Sequence, residues 1–261
     1  MAYERTRLTA DTTIFASPNG AGLKDGSSPA NAFAGVQAAW NALQQNYDLN
    51  GQTATIQLLD GTYNAGLQGY GPMVGMMKPG GSPVIVRGDP TASGVNFDTP
   101  GVNTFSFDGN AIATITNLTV SASGACPLYA TYGGIIEFGS IRFGTAMAHV
   151  MSENGGSIIG TGSYAIIQGA VYHVIASGAG SSVGIVPGVS ASISPNVGFS
   201  QFAFAGRLGK ISIPLPGVVF SGACSGQQGF ASLLGLLDCG GGAGSLPGNV
   251  ACGSNYGGQV Y

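Results

Sequence analysis

Two histidines, His149 and His173, hold matching places in a chain with few groups able to do chemistry. They stand 24 residues apart, and His-Val-Met-Ser-Glu-Asn-Gly-Gly aligns with His-Val-Ile-Ala-Ser-Gly-Ala-Gly. This spacing is close to the repeat of the apolar strands described below, so the imidazoles are predicted to stack at about 4.8 Å. We favour a stacked pair on the surface or at a subunit contact. A metal bound by one histidine from each of three subunits, or a pH-sensitive contact, are the alternatives.

The carboxylates are too scattered for the usual cleavage of polysaccharides. Hydrolysis of a glycosidic bond normally uses two carboxylates about 5 to 9.5 Å apart, and a calcium site needs several oxygen ligands. No two acids of the repeat region lie within four residues of each other, and Asp60 precedes a glycine as in ordinary turns. We therefore predict no catalytic residues and no enzymatic activity. The acids of this region are Asp60, Asp89, Asp98, Asp108, Glu137, Glu153 and Asp238.

A site that binds a glycan without cleaving it is an alternative. Glu137 and Arg142 lie on consecutive predicted strands, where a surface salt bridge is the favoured interpretation. Glu153 could approach them from the next corner. The candidate glycan-binding residues are Glu137, Arg142, Glu153, Tyr129 and Tyr132, with Tyr164 and Tyr172 as further aromatic candidates.

Metal and cofactor chemistry is not indicated. None of the four cysteines has C-x-x-C spacing or a histidine nearby in the sequence, so we predict no metal site and no cofactor. Free, buried thiols are the favoured interpretation, and a disulfide between Cys239 and Cys252 is the alternative. The chain has no G-x-S-x-G elbow and no Walker loop.

A repeat of short apolar strands must position these residues. The strands recur at steps of 22 to 28 residues, a spacing typical of solenoids. The repeated pieces are β-branched or aromatic and bounded by glycine, which indicates β-coils. Within a coil the order is strand, tight turn, strand, looser turn, strand and turn. The sequence therefore predicts an all-β, single-stranded, right-handed parallel β-helix of about eight coils, with rungs at Ile56, Val84, Ile112, Ile136, Ile158, Val183, Ile211 and about Leu234.

The chain divides into three parts. Residues 1–52 read as an N-terminal segment with a capping helix over residues 31–47, because Phe33, Val36, Trp40, Leu43 and Tyr47 recur at helical spacing. Residues 53–239 read as the β-helix. Residues 240–261 are glycine-rich and read as a C-terminal cap or a strap that binds a partner. The helix would cover the open end of the first coil.

Composition argues for self-association. Only 7% of residues are charged, against about 25% in an average soluble domain. The net charge is -3, which provides no basic surface for nucleic acid or an anionic membrane. No apolar run is long enough for a membrane span, and no signal peptide is predicted. We expect a homotrimer whose contacts use apolar side chains, with Phe202 and Phe204 on one face of a strand and Ala203 on the other.

The N-terminal motifs resemble a known superfamily. The run Gly26-Ser-Ser-Pro-Ala-Asn-Ala-Phe33 and the run Ala54-Thr-Ile-Gln-Leu-Leu-Asp-Gly-Thr-Tyr63 are similar to the start of pectate-lyase-like right-handed parallel β-helices. The opening Tyr3-Glu-Arg-Thr6 and the closing Leu246-Pro-Gly-Asn249 resemble β-helix proteins of phages and prophages. The resemblance implies a fold that serves lyases, hydrolases, adhesins and inert spikes alike.

From this resemblance and the scattered acids we expect a structural or adhesive virion component. It would be a fibre, spike or decoration protein, assembled in the bacterial cytoplasm and located in the virion. We expect a homotrimer that joins other virion proteins through a terminal segment and contacts a host surface glycan. The alternatives are a polysaccharide depolymerase tailspike, either lyase or hydrolase, and a glycan-binding module without turnover.

Overall fold

The chain folds as a parallel β-solenoid of about 7 turns, where the sequence predicted about eight. The computed structural model describes residues 4–76, 82–89, 94–215, 217–240 and 246–261. All strand pairings are parallel, and one α-helix accompanies the strands in the described part of the chain. The predicted fold class is therefore confirmed. Tyr3, Pro90 and residues 241–245 of the predicted cap lie outside the described residues.

Three stacked ladders run along the solenoid. The first contains Thr12–Ser17, Ala54–Leu58, Val84–Arg87, the beginnings of Ile112–Ala122 and Ile135–Glu153, then Ser157–Gly160, Ser182–Ile185, Lys210–Ser212, Leu236–Asp238 and Gln259–Val260. The second contains Gly61–Tyr63, Val95–Asp98, later parts of the same two long strands, Tyr164–Ile166, Ser190–Ile193 and Val219–Ser221. The third contains Leu67–Tyr70, Phe105–Asp108, Leu128–Ala130, the end of Ile135–Glu153, Ala170–Ser177, Gly198–Gly206, Ser225–Ser232 and Gly253–Ser254.

Inward side chains of successive coils stack into one apolar core. Along the first ladder Ile136, Ile158, Val183 and Ile211 pair in turn, as predicted, and all are buried. The row then continues to Leu237, so the predicted rung at Leu234 is wrong. At the other end two predicted rungs are out of register, because Ile56 pairs with Val86 and Ile136 with Ala113. The first offset arises because Val84 and Val86 both point inward, whereas at the second the inward residue is Ala113 and Ile112 lies on the outer side.

The strands of the third ladder turn a corner at which the alternation of side chains breaks. Phe202 and Ala203 are adjacent and both buried, whereas Phe204 is half-buried on the outer side. The prediction that Phe202 and Phe204 share a face is therefore wrong. The same pattern occurs one and two coils earlier, where His173 with Val174 and His149 with Val150 are adjacent buried pairs. The corner admits an additional row of side chains to the interior.

A helix covers the N-terminal end of the solenoid. It spans Gly35–Asn46, shorter than the predicted 31–47, and follows a 3₁₀ turn at Pro29–Asn31 and a short strand at Phe33–Ala34. Gly35 has φ of 79°, which prevents the helix from beginning earlier. The buried face contains Val36, Ala39, Trp40 and Leu43. A separate two-stranded pairing joins Thr6–Arg7 to Tyr47–Asp48.

Both terminal parts also contribute to the ladders. The strand Thr12–Ser17 pairs with Ala54–Leu58, so a first rung precedes residue 53. At the other end Gly253–Ser254 and Gln259–Val260 extend the third and first ladders. In the described residues the solenoid therefore reaches beyond the predicted range of 53–239 in both directions.

Candidate functional site

The two histidines meet inside the solenoid. His149 and His173 are both completely buried, and their Nδ1 atoms lie 3.0 Å apart. The Nε2 atom of His149 is 2.8 Å from the carbonyl oxygen of Gly144, and the Nε2 atom of His173 is 3.0 Å from the hydroxyl of Tyr164. Aromatic rings surround the pair, with centroids 4.8 to 6.0 Å away, and they belong to Phe143, Tyr164, Phe199 and Phe202.

Only one arrangement of protons satisfies all three of these hydrogen bonds when both imidazoles are neutral. A carbonyl oxygen only accepts, so His149 must donate its Nε2–H to Gly144. A neutral imidazole has one N–H, so Nδ1 of His149 accepts the Nδ1–H of His173. The Nε2 atom of His173 then accepts the hydroxyl hydrogen of Tyr164. Every ring nitrogen therefore has a partner without any charge.

Burial stabilises the neutral form of each of these groups. It lowers the pKa of His149 to about 4, although the hydrogen bond to Gly144 opposes the shift. Burial, then the proximity of His149, lowers the pKa of His173 well below its ordinary value. Burial also raises the pKa of Tyr164. The cluster is therefore uncharged at neutral pH, as a buried polar network must be when no counter-charge is present.

This placement corrects the prediction for the histidines. The expected stacking in register is present, since the flanking residues pair across the same two coils. The predicted surface or subunit contact is wrong, because both side chains lie within their own solenoid. For the same reason a metal bound by one histidine from each of three subunits is sterically excluded. No pattern in the sequence indicated the corner that turns this row inward.

A concave groove lies on the outer side of the third ladder. Its volume is about 880 Å³, and it runs between the outer face of the ladder and the loops that lead into it. Tyr70 stands at its edge with 60% of its surface exposed, and Tyr129 is half-buried within it. The lining residues, which we call the third-ladder groove, are Asn64, Ala65, Gly66, Gln68, Tyr70, Gly101, Val102, Asn103, Gly124, Ala125, Cys126, Tyr129, Met147 and Met151.

Hydrogen bonds hold the groove in shape. The backbone N–H of Gln68 donates to Oε1 of Gln37 on the helix (2.7 Å), and Nε2 of Gln68 donates to the carbonyl of Asn103 (3.3 Å). The Oδ1 atom of Asn103 accepts the backbone N–H of Cys126 at 3.0 Å. The groove thus rests on ordered side chains and on the capping helix, which favours a preformed binding surface.

The groove lacks groups that could act as a nucleophile or a base. None of its lining residues is charged, and burial raises the pKa of the Cys126 thiol to about 12. Tyr129 donates its hydroxyl hydrogen to Glu153 at 2.9 Å, and burial followed by that carboxylate raises the pKa of Tyr129 to about 12. The surface can therefore bind a ligand by ring contacts and amide hydrogen bonds, but it offers no reactive group of its own.

The predicted glycan-binding residues are only partly brought together. Tyr129 and Glu153 are hydrogen-bonded beside the groove. Tyr132 is 66% exposed in the turn after the third ladder. Glu137 lies on the first ladder, where it accepts the hydroxyl of Thr114, and Arg142 lies on the second. Both are among the described residues, and no ion pair joins them, so the predicted salt bridge is absent.

Sequence reasoning missed most of the groove. Its residues are far apart in the chain and of ordinary types, mainly amides, glycines and methionines. One signal was present, because Ser106, Tyr129 and Met151 recur at coil spacing, and they pair in register with one another and with Gln68 on the outer face. The row can be recognised only when the register of the third ladder is known, and the repeat of the first-ladder strands does not determine that register.

Two carboxylates approach each other more closely than the sequence indicated. Asp60 and Asp89 both lie against Gly94, so close that a β-carbon on that glycine would clash with either. Their nearest oxygens are therefore within about 5 Å of each other. The Oδ2 atom of Asp89 accepts the backbone N–H groups of Gly94 (2.6 Å) and Val95 (3.2 Å). The expectation of no close acid pair is wrong at this corner, although Asp89 is engaged in holding the turn.

The cysteines form no disulfide among the described residues. Cys239 is a buried free thiol, so the alternative bridge to Cys252 is not formed. Burial raises the pKa of Cys239 to about 12, which keeps the thiol protonated at neutral pH. Among the described residues no group of three or more His, Cys, Asp or Glu side chains could hold a metal ion. In the same residues no helix has the length and apolar character to cross a bilayer.

Comparisons with models of protein families, with curated proteins and with solved structures found no match to this chain.

Proposed function

We propose that this protein is a non-enzymatic structural and adhesive subunit whose third-ladder groove binds an uncharged carbohydrate. The observation that carries the proposal is the groove itself, an ordered concave surface of tyrosines and amides without a charged lining residue. Aromatic faces pack on the apolar faces of ligand rings, and amides donate and accept hydrogen bonds with hydroxyl groups. Glu153 at the edge, with no neighbouring cation in the lining, disfavours an acidic ligand.

The assembly we propose is a homotrimer in a phage-like particle, as a fibre, spike or decoration protein. The low charge of the chain and the half-buried apolar row outside the third ladder support self-association. The resemblance of the N-terminal motifs to phage β-helix proteins supports the particle, with a terminal segment joining other virion proteins. Assembly in the bacterial cytoplasm without insertion into a membrane belongs to the same proposal.

A binding experiment tests the groove. A printed panel of neutral and uronic-acid-containing bacterial oligosaccharides is probed with the wild type, Tyr70→Ala and Tyr261→Ala. Tyr261 is similarly exposed, at 53%, but lies at the far end of the chain, so it serves as the control. We expect neutral glycans to bind, and Tyr70→Ala to weaken binding about fivefold or more, equivalent to about 1 kcal/mol. Binding confined to acidic glycans, or equal binding by both variants, would contradict the proposal.

The polysaccharide depolymerase remains the second candidate because of one observation, the proximity of Asp60 and Asp89. Carboxyl groups this close are nearer to the arrangement of a retaining glycoside hydrolase than to that of an inverting one. Against it, Asp89 uses one oxygen to hold two backbone N–H groups. We expect no new reducing ends and no unsaturated products from capsule and lipopolysaccharide glycans. Turnover that Asp60→Asn abolishes, and Glu137→Gln does not, would establish a depolymerase at this corner.

A further inference from the structure

A column of tight turns joins the third ladder to the first in successive coils. In each turn the N–H of the fourth residue donates to the carbonyl of the first at 2.8 to 3.1 Å. Neighbouring turns are also hydrogen-bonded to one another, for example Leu208 N–H to Leu233 and Leu234 N–H to Tyr256. The turns of this column are 108–111, 131–134, 153–156, 178–181, 206–209, 232–235 and 255–258.

The backbone of these turns suits glycine and asparagine. Both central residues have positive φ in all of them except 178–181, which defines type I′ turns. Asn154-Gly155, with φ of 46° and 85°, is the dipeptide that such turns favour. Two turns nearer the C-terminus instead contain Arg207-Leu208 and Leu233-Leu234, with φ of 50° to 68°. A leucine in the left-handed region is disfavoured by about 1 kcal/mol or more.

The same residues are also exposed. Leu208 is 55%, Leu233 45%, Leu234 63% and Tyr256 75% exposed. These four residues, which we call the leucine ridge, thus combine backbone strain with apolar exposure. The fold requires neither strained nor apolar residues in these turns, since the turn 153–156 of the same column contains Asn154-Gly155. Strain and exposure at one place, which local folding does not require, indicate a contact with another surface.

A complementary surface lies at the same level of the solenoid. Ile175, Phe204 and Phe230 pair in register on the outer face of the third ladder, and Tyr172 packs beside them. The rings of Phe204 and Phe230 are stacked at 6.4 Å. We call Tyr172, Phe204 and Phe230, which are half-buried and lie beside the buried Ile175, the aromatic strip. It contains no charge, so the leucines of the ridge would meet only apolar side chains there, while the long side chain of the exposed Arg207 can keep its guanidinium in solvent.

We infer that the leucine ridge of one copy packs on the aromatic strip of the next copy. Phe204 and Leu208 belong to one coil, and Phe230 and Leu234 to the next, so parallel copies meet without an axial shift. Ridge and strip are different surfaces, so the contact is heterologous, and a rotation of one third of a turn between copies closes it as the proposed three-membered ring. This inference rests on the proposed homotrimer and identifies the surfaces that form it.

Replacing the ridge turns tests the inference. The variant combines Arg207→Asn and Leu208→Gly with Leu233→Asn and Leu234→Gly, which installs the dipeptide preferred in type I′ turns. The wild type should have the mass of a trimer at micromolar concentration in native mass spectrometry and light scattering. The variant should be a monomer with an unchanged β-type circular dichroism spectrum, because the turns themselves are relieved of strain. Tyr132→Asn installs the same dipeptide in an upper coil and should remain a trimer.

A cysteine pairing identifies the partner surface. Chains with Leu234→Cys and chains with Phe230→Cys are refolded separately and together, then oxidised. Covalent links between chains should form only in the mixture. A ridge variant that remains a trimer would contradict the role of the leucine ridge but not the homotrimer. Covalent links in the Leu234→Cys sample alone would show that ridge packs on ridge, and not on the aromatic strip. A wild type that stays monomeric at 26 kDa would overturn the homotrimer and the ridge together.

Discussion

The buried histidine pair belongs to a polar network in which the direction of every hydrogen bond is fixed. Tyr164 donates to His173, His173 donates to His149, and His149 donates to Gly144. Protonation of His149 would add a second hydrogen between two nitrogens 3.0 Å apart, and protonation of His173 would place a hydrogen on the Nε2 atom that accepts from Tyr164. Either event would place a cation in an aromatic core. The network therefore stabilises the fold only while it is neutral.

Stability should fall in mild acid. The folded-state pKa values of both histidines lie below the unfolded value of about 6.5, so the unfolded chain binds more protons in this range. The stabilisation is complete above about pH 6.5 and is lost as the pH falls toward 4. The stabilisation from each histidine falls by up to about 1.4 kcal/mol per pH unit there, or by about 1.6 kcal/mol between pH 6.5 and 5. Urea unfolding followed at a series of pH values measures this.

The matched variants separate titration from packing. His149→Phe with His173→Phe removes both titrating groups, so the stability lost between pH 6.5 and 5 should decrease by about 3 kcal/mol in total. Tyr164→Phe leaves a buried nitrogen without its donor and should lower stability by about 1 to 3 kcal/mol at neutral pH while retaining the pH dependence. Equal unfolding midpoints for the wild type at pH 7.5 and 5 would contradict the assignment.

At the scale of elements, the capping helix depends on one side chain. Trp40 is completely buried and meets Phe107 of the third ladder edge-on, with ring centroids 5.2 Å apart. Its indole N–H has no hydrogen-bond partner among the described residues, so its contribution is packing. Trp40→Ala should lower the free energy of unfolding by about 3 to 5 kcal/mol, as for other large buried aromatics. Chemical denaturation followed by circular dichroism measures the change.

Trp40→Phe is the control for this prediction. It removes the indole N–H and keeps an aromatic ring, so it should retain most of the stability that Trp40→Ala loses. A loss as large as that of the alanine variant would show that the volume of the indole, which a phenyl ring does not fill, holds the helix in place.

The elements that the sequence predicted are those with regular periodicity. The helix followed from spacings of three and four residues, and the rungs Ile136, Ile158 and Val183 followed from the coil repeat. The corners did not follow, because at His149 and Phe202 two adjacent residues point inward and no alternation marks them. Side chains assigned to the outside by strict alternation were therefore assigned wrongly.

The groove could not be predicted for a related reason. Its walls come from loops of several coils, and which loops face each other depends on the register of the third ladder. Of the predicted candidates, Tyr129 lines the groove and Glu153 lies at its edge, because the two residues are in adjacent coils of that ladder. Glu137 and Arg142 were near them in the sequence but lie on other ladders. In a solenoid, proximity in space follows the coil spacing more than the sequence neighbourhood.

For the whole molecule, the two ends of the solenoid are unequal. Contacts in a solenoid join neighbouring coils only, so a coil at an open end lacks half of its support. At the N-terminal end the strand Thr12–Ser17 pairs with both Phe33–Ala34 and Ala54–Leu58, and the helix covers its core. At the other end Gln259–Val260 pairs with Leu236–Asp238 alone among the described strands.

Local opening should therefore begin at the C-terminal end. Hydrogen exchange measured by mass spectrometry should show the least protection in peptides covering Gln259–Val260, and more in those covering Ser157–Gly160 at the middle of the first ladder. Peptides covering Thr12–Ser17 should be protected in the wild type and should lose protection in Trp40→Ala, while the C-terminal peptides stay unchanged. Uniform protection along the first ladder would mean that the solenoid opens as one unit. A loss at both ends in Trp40→Ala would mean that the helix supports every coil and not only those next to it.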